Sequence, residues 1–365
     1  MPASRQNCFT PSAKKNSLYS EFFFNIERMK TKLLRVFFVP LILLSSFSNG
    51  QIHIEDSPVV KTDSGLYAIA VTKNHTLIYE HYFNQHTEAE LFNDQSLTKG
   101  IIAILTGIAI DKGFISSPDE NIARFFPELK QDTDQRKQTI TIRQIMNQAS
   151  GLYHEDLTRL DKYLSLPNPS AYTLQQPVTT DPGSQFHYSN AASHLLSVII
   201  TKASGMSTLA FANKYLFGPL KIKTVEWMKM NDGFYDGSGL LSIRLSVTDM
   251  NRIGSLLLDS GRYNGVQIVS SAYVQQLLNP DRRYHTEWGF PGSEYALYWY
   301  HKNYRGIQIV YGLGWGGQFN FVIPSLHAVI TVNESVDDAT AIRQSILFQE
   351  KIFPMILSAL ERSGD

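Results

Sequence analysis

A serine stands three residues ahead of a lysine in Ser96-Leu97-Thr98-Lys99, at the head of a long apolar run. On a helix, positions i and i+3 share a face, so this spacing sets the lysine amine beside the serine hydroxyl. A serine hydroxyl is a weak nucleophile and needs a neighbouring base. A lysine at the foot of an apolar helix can be that base, because desolvation disfavours its ammonium form. The spacing alone is not distinctive, since Ser12 and Lys15 repeat it. A second group, Tyr188-Ser189-Asn190, follows the turn pair Pro182-Gly183 and opens another apolar stretch. A tyrosine near cations can relay protons, and an asparagine amide can hold an ammonium or a substrate carbonyl. The same residues also fit a plain helix start, with Ser189 as cap and Tyr188 packed. A third group, Tyr311-Gly312-Leu313-Gly314-Trp315-Gly316-Gly317-Gln318, leads into an apolar strand. Glycine there lets a ligand or a second backbone approach closely, and such an edge can lend an N–H to an oxyanion. A glycine-rich hairpin without a ligand has the same composition.

These groups need elements to carry them. Leu66 to Val71 and Thr76 to Tyr82 alternate around Lys73-Asn74-His75, which predicts an N-terminal hairpin. Ser96 to Asp111 predicts a buried helix closed by Gly113, and Pro118 to Leu129 a loop with a short helix. Thr139 to Asn147 predicts a capped helix, and residues 153–187 irregular structure. Further helices are expected over Ala191–Ala203, Ser207–Phe217, Val247–Leu258 and Ser271–Leu278. Short strands are expected at Tyr295–Tyr300, Gly306–Val310, Gln318–Ile323 and Ala328–Asn333, then one long amphipathic helix over Ala341–Leu360. Strands at both ends and helices between them imply an α/β (α+β) fold. An antiparallel sheet is built from both chain ends, with a mainly helical insertion over about 115–260.

Taken in order, the three groups resemble the serine β-lactamase and penicillin-binding-protein-like family, in its class C and family VIII esterase branch. The resemblance runs from about residue 60 to residue 350. It includes SLTKGIIAILTGIAIDKGFISSPDENIARFFPEL, TIRQIMNQASGL, PGSQFHYSNAASHLLSVIITKASG and GSGLLSIRLSVTDMNRIGSLLLDSGRYNG. It implies that Ser96 is acylated and that Lys99 and Tyr188 share the acid and base work. It implies that Asn190 orients Lys99 and the substrate. The Ser96 N–H would form half of an oxyanion hole. Matching Gly314 to the last glycine of the family's third motif makes the Trp315 N–H the other half. A second register, which reads Trp315-Gly316-Gly317 as the motif, moves that donor to Gln318. The family's β-lactamases and peptidases carry a cation and a hydroxyl at this motif, which grip a substrate carboxylate. Gly312-Leu313-Gly314 offers neither. The expected substrate is therefore a small ester, amide or peptide-like molecule without an essential carboxylate. Arg282, Arg283, His285 and His301 are the candidates for a replacement anchor. The rival readings are a β-lactamase or D-amino-acid peptidase with another anchor, and a non-catalytic binding homologue.

The remaining readings concern compartment and partners. Met29-Lys30-Thr31-Lys32 and Arg35 precede the apolar run Val36–Phe47, which Pro40 interrupts, then Ser48-Asn49-Gly50. This is the layout of a signal peptide at about 29–50, with residues 1–28 as an upstream extension and 51–365 as the exported hydrolase domain. A secreted or periplasmic location follows, without a stable membrane span after cleavage. Cys8 is the only cysteine, so the region after the signal has no disulfide and no thiol nucleophile. The 33 basic and 33 acidic residues balance, which gives no excess charge for nucleic acid. His154-Glu155-Asp156 lacks a partner at ligand spacing and reads as a loop beside the site, so no metal or organic cofactor is expected. No Gly-x-Ser-x-Gly elbow, P-loop or dinucleotide fingerprint occurs.

Overall fold

The computed structural model describes residues 52–362, so the signal segment at 29–50 and the stretch before it lie outside the described residues. The strands are β1 (Leu66–Lys73), β2 (Thr76–Tyr82), β3 (Phe92–Asn93), β4 (Glu226–Trp227), β5 (Ile243–Leu245), β6 (Arg262–Tyr263), β7 (Val266–Gln267), β8 (Tyr284–His285), β9 (Glu294–Ala296), β10 (Trp299–Tyr304), β11 (Ile307–Gly314), β12 (Gln318–Ile323) and β13 (Ala328–Glu334). The α-helices are α1 (Pro58–Thr62), α2 (Leu97–Asp111), α3 (Ile142–Met146), α4 (Leu160–Leu164), α5 (Pro169–Gln175), α6 (Asn190–Ser204), α7 (Thr208–Ala212), α8 (Val247–Leu258), α9 (Ser271–Leu278), α10 (Ala341–Leu347) and α11 (Phe353–Arg362).

One antiparallel sheet runs β2-β1-β13-β12-β11-β10-β9-β8, so strands from both chain ends meet at β1 and β13. Alternation along β12 gives that sheet two faces. Phe319 and Phe321 stack against Phe348 and Phe353 of the C-terminal segment, at 5.2 and 4.6 Å between ring centroids. Asn320 turns the other way and donates to the Met250 carbonyl of α8 at 3.0 Å. Helix α8 comes this close because of Gly254, where a Cβ would sit 2.6 Å from Asn320 Oδ1.

The hairpin turn at Asn74-His75 and the caps fall where the residue types place them. Thr141 and Gln144 form a capping box on α3, and Gly205 ends α6 in the left-handed region. Three expectations need correction. Residues 153–187 are not wholly irregular, because α4 and α5 lie within them. The C-terminal helix is interrupted by a π segment at Phe348–Ile352. A π turn brings residues five apart towards one face, which lets Phe348 and Phe353 both reach Phe321. Tyr295–Tyr300 is two strands, with Leu297 and Tyr298 at φ +51° and +70° forming the turn between β9 and β10. This turn has no Asn-Gly signature. It is held by α3 instead: the Leu297 N–H donates to Asn147 Oδ1 and the Tyr298 N–H to the Met146 carbonyl, both at 2.9 Å.

A small sheet, β3-β5-β4, sets the next level of order. It joins the segment before Ser96 to β5, just over 150 residues later, through Phe92↔Leu245 and Asn93↔Arg244. Beyond it the Leu245 N–H donates to Asp94 Oδ2 at 3.0 Å and the Ile243 N–H to Thr98 Oγ1 at 3.1 Å. Among the described residues no single helix is long and apolar enough to cross a membrane.

Candidate active site

Ser96 occupies the N-cap of α2 with helical backbone angles, so its hydroxyl lies where the helix dipole favours developing negative charge. Gln95, just before it, has φ +49°. That conformation is costly for a side chain larger than glycine, and here several contacts hold it. The Gln95 N–H donates to Ser242 Oγ at 2.7 Å, and its carbonyl accepts from the Thr98 hydroxyl, also at 2.7 Å. Glycines let backbone close in from two sides. A Cβ on Gly239 would sit 2.9 Å from the Ser96 Cα, and one on Gly314 would sit 2.6 Å from the Asp94 carbonyl oxygen.

Two groups converge on Ser96 Oγ. Lys99 Nζ donates to it at 3.1 Å, one turn along α2, and the Tyr188 hydroxyl donates to it at 2.8 Å. Lys99 is buried and its Nζ lies 4.7 Å from the centre of the Tyr188 ring. It also donates to Asn190 Oδ1 at 2.7 Å and to the Ser238 carbonyl oxygen. Tyr188 is positioned by the start of α6. Ser189 caps that helix through Ala192, its hydroxyl donates to the Tyr153 carbonyl, and its N–H donates to Gln148 Oε1 at 2.7 Å. Asn190, the first residue of α6, is held by Glu155. Glu155 Oε1 accepts from the Asn190 side-chain amide at 2.6 Å and from its backbone N–H at 3.0 Å; Oε2 accepts from the Ala191 N–H at 3.0 Å. Burial pushes the Glu155 carboxyl up, and those N–H donors offset part of that cost.

Of the expected site residues, Ser96, Lys99, Tyr188 and Asn190 meet in one hydrogen-bonded cluster. Gly314 closes β11 against the Asp94-Gln95 backbone, and Trp315 begins the turn that follows, its indole N–H donating to Asp338 at 3.0 Å. Gly316, at φ +89°, directs its carbonyl to Gln344 of α10 at 2.7 Å. Among the described residues, Gln318 makes no side-chain hydrogen bond to the cluster. It pairs with Gly314 across the hairpin, and its buried side chain donates to the Glu334 and Trp315 carbonyls. Those side-chain bonds brace the hairpin on which both proposed registers, with the donor at Trp315 or at Gln318, are carried.

Tyr188 opens onto a cleft of about 460 Å³, walled by residues such as His154, Glu155, His187, His285 and Trp288. The His154 and His187 rings stack at 5.5 Å with 6° between planes, and burial followed by repulsion from His154 holds the His187 imidazole below its usual range. No arginine or lysine lines the cleft among the described residues. Of the candidate carboxylate anchors, only His285 reaches it. Arg282 lies over the Tyr284 ring at 4.7 Å, and Arg283 approaches Glu294 at 3.6 Å. His301 is buried, and that burial, aided by Arg283, pushes its imidazole down to about 3. Sequence reasoning passed over Glu155 as part of a loop and did not single out Ser238. Neither is close in sequence to the residue it serves, and the only available signal was the Gly-Ser-Gly turn at Gly237-Ser238-Gly239.

The Beta-lactamase family model matches residues 64–345. The chain belongs to the β-lactamase family. A 6-aminohexanoate-dimer hydrolase of Paenarthrobacter ureafaciens is 24% identical over 266 residues, 67% of this chain and 66% of that relative. Solved structures share the fold at lower identity. A Bacillus anthracis protein described as a 6-aminohexanoate-dimer hydrolase superposes with TM-score 0.68 at 21% identity, over 83% of this chain and 81% of its own. The octameric penicillin-binding protein homologue of Pyrococcus abyssi gives 0.64 at 17%, over 80% and 74%. A D-stereospecific amidohydrolase from Streptomyces gives 0.59 at 15%, over 78% and 94%. This β-lactamase-family chain thus carries its serine, lysine and tyrosine on the face of the sheet where α2 and α6 meet.

Proposed function

We propose that this β-lactamase-family chain is an exported serine hydrolase that opens linear amides or esters through an acyl group on Ser96. The observation that carries the reading is the convergence of the Tyr188 hydroxyl and Lys99 Nζ on Ser96 Oγ, at 2.8 and 3.1 Å. Ser96 Oγ attacks the substrate carbonyl carbon, and its proton passes into the Tyr188–Lys99 pair, with Lys99 as the free amine that takes it up. The pair returns a proton to the departing alcohol or amine. Water, activated by the same pair, then cleaves the acyl-serine and restores the hydroxyl. The Ser96 and Trp315 N–H groups are the proposed oxyanion donors. Export rests on the basic and apolar pattern at 29–50.

Two features support an uncharged or cationic acyl substrate over a β-lactam. The third motif lacks a cation, and the cleft wall contains no arginine or lysine. The relative named for a 6-aminohexanoate dimer and the neighbour named an amidohydrolase lend weight to the linear-amide arm. The test is a panel of short p-nitrophenyl esters, p-nitroanilides with neutral, cationic and anionic acyl groups, and a chromogenic cephalosporin. Neutral or cationic members should turn over fastest relative to their background rates, and Ser96→Ala should abolish both turnover and fluorophosphonate labelling. Preferred turnover of the cephalosporin would assign a β-lactamase instead. Neither turnover nor labelling in the wild type would mean a binding protein.

A further inference from the structure

The two amide oxygens that hold Lys99 are aimed by buried carboxylates. Lys99 Nζ donates to Asn190 Oδ1 at 2.7 Å and to the Ser238 carbonyl oxygen. On the first arm, the Asn190 amide nitrogen donates to Glu155 Oε1 at 2.6 Å, which leaves its oxygen facing the lysine. On the second arm the same logic works through the backbone. The Ser238 carbonyl and the Gly239 N–H belong to one trans peptide and point in opposite directions. Gly239 N–H donates to Asp236 Oδ2 at 2.9 Å, so the carbonyl turns towards Lys99. Asp236 fixes the whole loop. Its Oδ1 accepts from Ser238 N–H and hydroxyl at 2.7 and 2.6 Å, and its Oδ2 from Leu241 and Ser242 N–H at 2.8 and 3.2 Å. Glu155 and Asp236 are both almost wholly buried, and they come from segments 81 residues apart by number (236 − 155).

We propose that Glu155 and Asp236 are positioning residues of the proposed hydrolase, each anchoring the N–H side of an amide whose oxygen holds Lys99 against Ser96. The inference rests on the serine-hydrolase reading. Lys99 is anchored on both sides, so its amine is confined to the position where it reaches Ser96 Oγ. Losing one arm lets the amine swing; Asp236 does not line the substrate cleft, whereas Glu155 does.

The experiment uses the full chain with p-nitrophenyl acetate turnover and the rate of fluorophosphonate labelling at Ser96. Glu155→Ala leaves space beside the cleft that it lines, and Asp236→Asn keeps volume while turning donors towards donors. Each should lower kcat by about tenfold or more with little change in KM, because misplacing a reacting group is costly. Added formate should restore Glu155→Ala in a saturable way, and Glu155→Gln, which keeps one acceptor oxygen, should fall between. Thermal melting checks that each variant folds; where Asp236→Asn does not, the Glu155 arm decides. Wild-type rates in both folded variants would overturn the clamp. So would a folded Glu155→Ala that formate leaves inactive. A wild type that neither labels nor turns over esters would sink the hydrolase reading itself, and the clamp with it, which is a distinct outcome.

Discussion

Tyr188 is the residue whose removal separates chemistry from architecture most cleanly. Its hydroxyl donates to Ser96, while its ring faces Lys99 Nζ and lies 6.3 Å from the Trp288 ring centre. Tyr188→Phe deletes the first contact and keeps the ring. Proton transfer by a positioned side chain contributes roughly 10²–10⁴-fold, so kcat on esters should fall by about that factor while the melting temperature stays near wild type. Ester turnover within about threefold of wild type would remove Tyr188 from the proton path. The residues that the fold gathers around Ser96 were legible because their types are chemical and their local spacings are short. Ser96 and Lys99 lie one turn apart, and Tyr188 and Asn190 begin one helix. Glu155 and Asp236 were not legible, because each meets Lys99 only through an amide of another residue, and they stand 56 and 137 positions from it in the chain. An acidic residue in a loop looks the same in sequence whether it faces water or an asparagine.

At the scale of elements, most helix limits followed from capping residues and the 3.6 period, and β12 fell on its apolar run, whereas β11 continues past the expected end at Val310 as far as Gly314. The turn between β9 and β10 escaped, because Tyr295–Tyr300 is apolar throughout and Leu297-Tyr298 gives no turn signal. Both residues sit in the left-handed region, at a cost of about 1–3 kcal/mol each. Both side chains are buried, which for Leu297 stabilises by roughly 1.5–3 kcal/mol, and α3 satisfies both N–H groups. Burial and hydrogen bonding therefore offset the backbone strain. Asn147→Ala removes the acceptor for the Leu297 N–H and leaves a buried donor unpaired. The expected loss is about 1–3 kcal/mol of stability in urea unfolding. The turn supports the wall behind Tyr188, formed by Tyr295, Tyr298 and Tyr300, all buried around it. A stability change below about 0.5 kcal/mol would show that α3 does not hold the turn.

For the whole molecule, the joint between the two chain ends carries an uncompensated acid. Glu334 ends β13 beneath the β11–β12 turn, and neither of its carboxylate oxygens has a hydrogen-bond partner. Asp63 Oδ2 and Gln344 Oε1, from the segment before β1 and from α10, are also unpartnered. Burial, followed by repulsion from Asp63, holds the Glu334 carboxyl well above its ordinary value. The native state therefore keeps a proton that the unfolded chain releases near the ordinary value of 4.5. A group of this kind favours folding fully below its unfolded pKa, and the benefit disappears as pH rises towards the folded pKa. Glu334→Gln removes the titration and adds an amide donor near acceptors that lack one. Its melting temperature should match wild type near pH 4 and exceed it at pH 7 by on the order of 2 °C or more, given how a kcal/mol maps onto Tm in a chain of this size. Melting curves for both proteins across that interval decide the point. A difference independent of pH would mean that packing alone was altered, and a wild type more stable at pH 7 would mean that Glu334 is ionised and stabilised in the fold. The joint matters to the site because Gly317 rests on Glu334 and Gly316 on Gln344, so the turn that presents Trp315 is seated on the closure of the sheet.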